Sequence, residues 1–313
     1  VNASVWRPDP GPGVAAGERV VVTGAASQIG WFLLPRLAEA GLEPVAVSRR
    51  DAAAASARFG ARWPGHGRVQ WRRADVNQPG AEWAAGCTRW IHLGPLGLAG
   101  DRVAEAAAAG VRQAIAFGST SRYTKARSPA AREQRIVASL VAGEESLAGQ
   151  CVAAGIDWTL FRPTLIHGVG LDRNVMVIAS AIRRFGVFPL VGGGRGLRQP
   201  VHADDLASAC LAALGHPAAA GKAYDVSGGE VLAYRTMVER VFEALDRRAR
   251  FVPVPVAVVG LALRALSMLP RYRDFNPEMA RRMAADMTFA HDAATGDFGY
   301  RPRGFAACVH APR

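Results

Sequence analysis

The chain has 313 residues, half of them hydrophobic and a fifth charged, a composition that provides a large buried core and excludes a disordered chain. Its formal charge of +12 is spread along the sequence with no RNA-binding or helix-turn-helix signature, so nucleic acid is not an expected partner. Four cysteines (Cys87, Cys151, Cys210 and Cys308) lack any C-x-x-C spacing, which argues against a zinc site or disulfide framework and for a reducing, cytoplasmic setting.

Residues 1–17, punctuated by Pro8, Pro10 and Pro12, lack the build of a signal peptide and read as a flexible leader. Short β-type runs then alternate with alanine-rich stretches: Arg19 to Val22, Pro44 to Val47, Val69 to Trp71, Trp90 to Leu93, Ala114 to Phe117 and Trp158 to Phe161. Such alternation predicts an α/β fold, a parallel sheet of six strands with helices on both faces. Gly41, Gly110 and Gly155 stand where the intervening helices need left-handed caps. After Arg162 the rhythm loosens into a glycine-rich turn (Gly192 to Gly194, Gly196), a helix from Ala203 to Leu214, a strand from Ala223 to Val226 and a helix from Tyr234 to Leu245. The expected division is a nucleotide-binding domain over 18–165, a smaller α/β substrate lobe on its C-terminal side over 166–305, and a tail over 306–313. Returning segments such as 199–226 are expected to pack on the first domain. The most apolar window, Val252 to Leu269, is broken by Pro253, Pro255 and Arg264 and is too short to span a bilayer. Its helix, Val256 to Met268, followed by Arg271, Tyr272 and Arg273, reads as core packing. Shelter for a lipophilic substrate, or contact with the surface of an inner membrane, are the alternatives.

The segment Arg19-Val20-Val21-Val22-Thr23-Gly24-Ala25-Ala26-Ser27-Gln28-Ile29-Gly30 is a strand, a tight turn and a helix start. Such a turn aims backbone N–H groups and a helix dipole at a pyrophosphate, the device of a Rossmann-type doubly wound domain. The second strand ends in Ser48-Arg49-Arg50, where selection of NAD would place a carboxylate for the ribose 2′-hydroxyl. Two guanidiniums there suit a 2′-phosphate, so NADP(H) is expected over NAD. Eight arginines against three acids between Arg36 and Arg73 add a field favourable to a polyanion.

The turn resembles T-G-x-x-G-x-x-G of the extended short-chain dehydrogenase/reductase superfamily, the branch of NAD-dependent epimerases and dehydratases, with Ser27 replacing the middle glycine. Three later segments carry the same resemblance: Phe117-Gly118-Ser119-Thr120-Ser121-Arg122-Tyr123, Phe161-Arg162-Pro163-Thr164-Leu165-Ile166-His167-Gly168, and Arg198-Gln199-Pro200-Val201-His202-Ala203-Asp204-Asp205. Together they extend it from Glu18 to Phe305. The resemblance implies that Gly24, Ala26, Ser27, Gln28, Ile29, Gly30, Asp75, Val76, His92, Leu93, Gly94 and Pro163 border the cofactor. By the same resemblance Ser119 or Thr120 steadies a substrate oxygen, and Asn174, Arg183 and Arg198 meet an anionic ligand.

The superfamily's Y-x-x-x-K proton relay is absent, because lysine occurs only at Lys125 and Lys222, and the residues four before them are Ser121 and Ala218. Glu144-Glu145-Ser146-Leu147 resembles the acidic turn downstream of that relay, which places apolar Ile136 or Val137 and Leu140 or Val141 at its positions. Tyr123, with Lys125 nearby, is the alternative donor; a packed tyrosine and a surface lysine are the plain reading. His202, Asp204 and Asp205 together suggest a metal site, but Asp204 or Asp205 near a helix start reads as a cap and dipole partner, and no metal is expected. The expected protein is an atypical NADP(H)-dependent oxidoreductase or nucleotide-sugar-epimerase-like enzyme acting on an anionic or lipophilic small molecule, with a homodimer left open. A non-catalytic dinucleotide sensor or accessory subunit, and a membrane-associated lipid- or sterol-type dehydrogenase, are the alternatives.

Overall fold

The computed structural model describes residues 5–59, 63–65, 67–172, 174–266 and 284–310. Arg271, Tyr272 and Arg273, the helix end at Met268, and the first four residues of the leader lie outside the described residues.

All six expected strands form: β1 (Arg19–Thr23), β2 (Glu43–Ser48), β3 (Gln70–Arg73), β4 (Arg89–His92), β5 (Gln113–Phe117) and β6 (Asp157–Pro163). A seventh, Lys222–Val226, joins the same sheet beside β6, so the order across the sheet is Lys222–Val226, β6, β5, β4, β1, β2, β3. Every pairing in it is parallel. Strand order reverses between β1 and β4, and a crevice forms at that reversal, outside the carboxyl ends of the strands.

Both faces of the sheet are covered, as a parallel sheet requires. On one, α1 (Gln28–Glu39) packs with the later helix Ala203–Ala213, burying Leu33, Leu34, Leu37, Leu206 and Cys210 against Val20, Val22 and Ile115. On the other, Trp90, Val21 and Ala114 meet a helix at Leu96–Asp101 and the 24-residue helix Ala131–Ala154 through Leu96, Leu147 and Cys151. A third core, away from the sheet, joins the helices Asn174–Phe185 and Tyr234–Ala244 through Val175, Ile182, Met237, Val241 and Phe242.

The described part of the leader is packed, contrary to the flexible segment expected from its prolines. The Gly11 and Gly13 N–H groups donate to the Leu214 and Gly215 carbonyls at 2.8 and 3.0 Å, and the Trp6 ring sits edge-on 5.8 Å from Tyr300. Proline and glycine broke the periodicity by which packing is read, yet glycine is what permits the approach: a Cβ on Gly11 would lie 2.5 Å from the His216 nitrogen.

Candidate functional site

The turn after β1 is built on two glycines. Gly24 takes φ of 69°, and a Cβ there would sit 2.7 Å from the Leu93 carbonyl carbon. At Gly30 a Cβ would fall 1.9 Å from the Ala25 oxygen, so α1 begins this close to the sheet only with a bare backbone. Gly30→Ala is therefore expected to cost about 3 kcal/mol, an overpacking penalty against backbone that cannot yield, measured by urea unfolding. Ser27 caps α1: its Oγ accepts from the Gly30 N–H at 3.2 Å, which leaves the hydroxyl proton to donate outward. The first-turn N–H groups of α1 have no intrahelical partners, and the helix dipole adds to their attraction for an anion.

This turn forms one wall of a cleft of about 570 Å³ at the carboxyl ends of β1, β2 and β4. The cleft gathers Gly24, Ala26, Ser27, Ser48, Arg49, Arg50, Asp75, Val76, His92 and Gly94, ten of the fifteen residues expected at the cofactor. Arg49 and Arg50 stand exposed on its rim, while the neighbouring acid, Asp51, is spent as a helix cap, accepting from the Ala54 N–H at 2.7 Å. Asp75 accepts from the side-chain amide and backbone N–H of Asn77 at 2.6 and 3.1 Å, and these bonds hold its carboxyl below the usual range. The remaining five residues face elsewhere. Ile29 is core, the Leu93 N–H donates to the Thr23 carbonyl, Gly30 is enclosed against Ala25, the Pro163 carbonyl is taken by Thr120, and Gln28 lines a second cavity.

His92 is part of the cleft wall rather than a ligand for metal. The Trp90 indole donates to Thr23 Oγ1 at 2.8 Å, Thr23 Oγ1 lies 2.8 Å from His92 Nδ1, and His92 Nε2 lies 3.0 Å from the Pro95 carbonyl. A carbonyl only accepts, so Nε2 carries the proton and Nδ1 accepts from Thr23. Burial pushes the imidazole down to about 4 from an ordinary 6.5. The folded state therefore binds this proton less readily than the unfolded chain, and the contribution to stability is present above pH 6.5 and lost as pH falls toward 4. His92→Gln is expected to flatten the unfolding free energy against pH in that window, removing up to about 1.4 kcal/mol per pH unit.

The second cavity, about 440 Å³, shares the start of α1 with the first, Ser27 lining one and Gln28 the other. It brings together Ser119, Thr120, Lys125, Asn174 and Arg198. Ser119 Oγ accepts from the Ser121 N–H at 3.1 Å and keeps its own proton for a ligand. Thr120 does not: its hydroxyl donates to the Pro163 carbonyl at 3.0 Å. Arg198 sends Nη1 to the Leu197 and Ala285 carbonyls, both at 2.7 Å, with its guanidinium 5.4 Å from the centre of the Tyr234 ring. Gln199 anchors the far wall by donating to the Gly228 carbonyl and accepting from the Phe289 N–H.

Two expected residues lie outside this cavity. Tyr123 is stacked on Phe289 at 5.8 Å and flanked by the guanidiniums of Arg122 and Arg162. Lys125 lines the second cavity, whereas Tyr123 meets it only through Phe289. Arg183 reaches the Val309 carbonyl at 2.6 Å in the second lobe. On the helix Ala131–Ala154, Ile136 and Leu140 line a groove with Leu96 and Gly97, away from the second cavity. Glu144 is buried between Arg122 and Arg162, its carboxylate 2.7 Å from Arg162 Nη2, and so ties the loop after β5 to β6.

Around His202 the cap differs in detail from the sequence reading. His202 itself caps the helix Ala203–Ala213, Nδ1 accepting from the Asp204 N–H at 3.1 Å, while Asp204 and Asp205 occupy the first turn and pair with arginines. Among the described residues no group of three His, Cys, Asp or Glu is placed to hold a metal.

Sequence reasoning missed Asp172 and Gln28 as walls of the second cavity. Asp172 was legible as an aspartate three residues before Val175, at the start of an apolar helix; its Oδ1 accepts from the Val175 N–H at 2.6 Å. Gln28 was assigned to the cofactor because it adjoins the glycine turn.

The NAD dependent epimerase/dehydratase family matches residues 98–227. A 2-alkyl-3-oxoalkanoate reductase of Stenotrophomonas maltophilia is 32% identical over 177 residues, 52% of this chain and 53% of that protein. The mitochondrial NADH dehydrogenase [ubiquinone] 1 alpha subcomplex subunit 9 of Arabidopsis thaliana is 27% identical over 168 residues, 51% of this chain and 40% of that protein. The chain thus spans about half the length of these curated relatives. Among solved structures, a UDP-glucuronic acid 4-epimerase from Bacillus cereus in complex with UDP-glucuronic acid and NAD superimposes with a TM-score of 0.68 at 14% identity, covering 92% of this chain and 95% of that one. At that identity the likeness is one of fold.

Proposed function

We propose, from the extended short-chain dehydrogenase/reductase architecture and the family match over residues 98–227, that this chain is an NADP(H)-dependent oxidoreductase or epimerase-like enzyme. The observation that carries the reading is the cleft at the strand-order reversal, where the turn of Gly24 to Ser27, Arg49 with Arg50, and Asp75 share one wall system. The residues fit a dinucleotide. First-turn N–H groups of α1 and the Ser27 hydroxyl would hold the pyrophosphate, Asp75 the adenine amino group, and Arg49 with Arg50 the 2′-phosphate. A bound nicotinamide would supply hydride transfer. Ser119, with its proton free, would hold a substrate oxygen in the adjoining cavity, and Lys125, Asn174 and Arg198 would add polar contacts there.

Fluorescence titration with NADPH and NADH tests the cofactor assignment: saturable binding with NADPH tighter is expected, and no saturation by either ends it. Hydride transfer would then be assayed on 2-alkyl-3-oxoalkanoates and UDP-glucuronic acid, the compounds named for one relative and one structural neighbour.

One observation favours a second reading, a dinucleotide-binding subunit without turnover. Apolar side chains, Ile136 or Val137 and Leu140 or Val141, stand where the resemblance places the relay, and one relative is named as a subunit of a larger assembly. Cofactor binding without hydride transfer to any member of the panel supports that alternative. The membrane reading rests on exposed Val258 and Leu261 of the helix Val256–Leu266; no helix among the described residues is long and apolar enough to cross a membrane. Sedimentation with anionic liposomes decides it.

A further inference from the structure

The second cavity holds two buried acceptors without donors. Gln28 Oε1 and Asp172 Oδ2 are both enclosed, both belong to residues lining that cavity, and neither has a hydrogen-bond partner. Asp172 as a whole is only 6% exposed. Its other oxygen is committed to the Val175 N–H at 2.6 Å, so the carboxyl is held in one orientation by a helix start. An isolated carboxylate oxygen enclosed by protein is costly, and the cost is met by a proton on it or by a ligand that donates to it.

We propose that Asp172 is the proton-transfer residue of the second cavity, its Oδ2 exchanging a proton with a substrate hydroxyl and so occupying the role left by the absent tyrosine–lysine pair. The inference rests on the oxidoreductase reading above. In the oxidising direction the substrate O–H bond breaks and its proton passes to Oδ2. The O–H electron pair forms the new carbonyl bond, and the C–H electron pair leaves as the hydride that a bound nicotinamide takes up. In the reducing direction Asp172 returns the proton to the nascent alkoxide. Ser119 positions the same oxygen with its hydroxyl proton, and Gln28 Oε1 accepts from a neighbouring hydroxyl or N–H of the ligand. Both oxygens only accept while Asp172 is ionised, so the group that meets them carries donors.

The electrostatics agree with the role. Burial raises the Asp172 carboxyl above its ordinary 3.8, against backbone N–H groups of Val175, Met176 and Asn174 that lower it. Among the described residues, Lys125 and Arg198 line the same cavity and Cys308 from the tail interacts electrostatically with Asp172. A carboxyl raised in this way takes and returns a proton more readily near neutral pH than an exposed one.

The test compares the full chain with Asp172→Asn, which keeps an oxygen for the Val175 N–H and removes the titrating group. NADPH binding should be unchanged within about twofold, because the first cavity is untouched. Infrared difference spectra between pH 4 and 8 should show a protonated carboxyl band in the wild type, titrating above the usual aspartate range and missing from the variant. Turnover on the panel of 2-alkyl-3-oxoalkanoates and UDP-glucuronic acid should fall about 100-fold or more in kcat with KM within a few-fold, the size expected for loss of an acid–base group. Superimposable infrared spectra, or kcat retained within tenfold, overturn the proposal, as does a wild type that binds cofactor but turns over nothing. Failure of the wild type to bind either cofactor instead removes the oxidoreductase reading itself.

Discussion

With Arg49 and Arg50 both replaced by alanine, the affinity for NADPH should drop about 100-fold while that for NADH stays within about threefold. Hydrogen bonds to charged groups contribute about 1.5–3 kcal/mol each, and two of them removed from one phosphate reach that range even after solvent screening on an exposed rim. The selectivity of the loss is the informative part. Both side chains stand on the cleft's edge after β2, and Asp51 cannot substitute as a ribose ligand while it caps the next helix. The difference between the cofactors should shrink as ionic strength rises, since exposed charges are screened within about 8 Å at physiological salt. An equal loss for both cofactors would mean that the arginines shape the cleft rather than read a 2′-phosphate. Gain of NADH affinity in Arg49→Asp would support the 2′-phosphate reading from the opposite side, by giving the ribose 2′-hydroxyl a carboxylate.

The sheet was legible in the sequence because its signals are local. Val20, Val21 and Val22 run into Gly24, and each later strand is an apolar run bounded by a helix and a turn, so the six strands and their parallel sheet follow from the alternation. The seventh strand, Lys222–Val226, has the same local signal, but its place beside β6 is a long-range fact that no pattern of period two encodes. The first cavity was likewise legible: a phosphate turn is made by consecutive residues, and ten of its expected residues came together. The second cavity was not, because it is assembled from the start of α1, the loop after β5, the segment around Asp172 and residues 287–289, which are far apart in sequence. Tyr123 illustrates the limit. Two residues from Lys125, it looked like a partner, yet its ring stacks on Phe289 beside the Arg162 guanidinium, contacts with residues distant in sequence that spacing does not encode. Gln199, whose amide holds Phe289 in place, gave no signal beyond its position in a recurring segment.

Replacing Arg303 by methionine should destabilise the protein by about 3–5 kcal/mol, the cost of removing one partner from a buried ion pair. Arg303 Nε donates to Asp205 Oδ1 at 2.7 Å, its backbone N–H to Asp205 Oδ2 at 2.9 Å, and its Nη2 to Asp204 Oδ2 at 2.8 Å, while Arg36 Nε donates to Asp204 Oδ1 at 2.6 Å. Asp205 is fully enclosed, and burial already raises its carboxyl above the ordinary value although Arg303 opposes the shift. Without the guanidinium the carboxyl rises further. A carboxyl whose folded pKa lies above its unfolded one contributes stability below the unfolded value and loses it as pH rises through the folded one. The deficit of Arg303→Met should therefore be largest at neutral pH and narrow as pH falls toward 4, a pattern that lost packing alone would not produce. Adding Asp205→Asn should recover part of the deficit at pH 7 by discharging the buried acid. The consequence extends to the second cavity. Arg303 clamps the helix that His202 caps, and Val201 and His202 pair in register with Ile166 and His167, of which Ile166 lines that cavity. Loss of the clamp should thus weaken ligand binding there while leaving the dinucleotide cleft, built on β1 and β2, with its affinity intact.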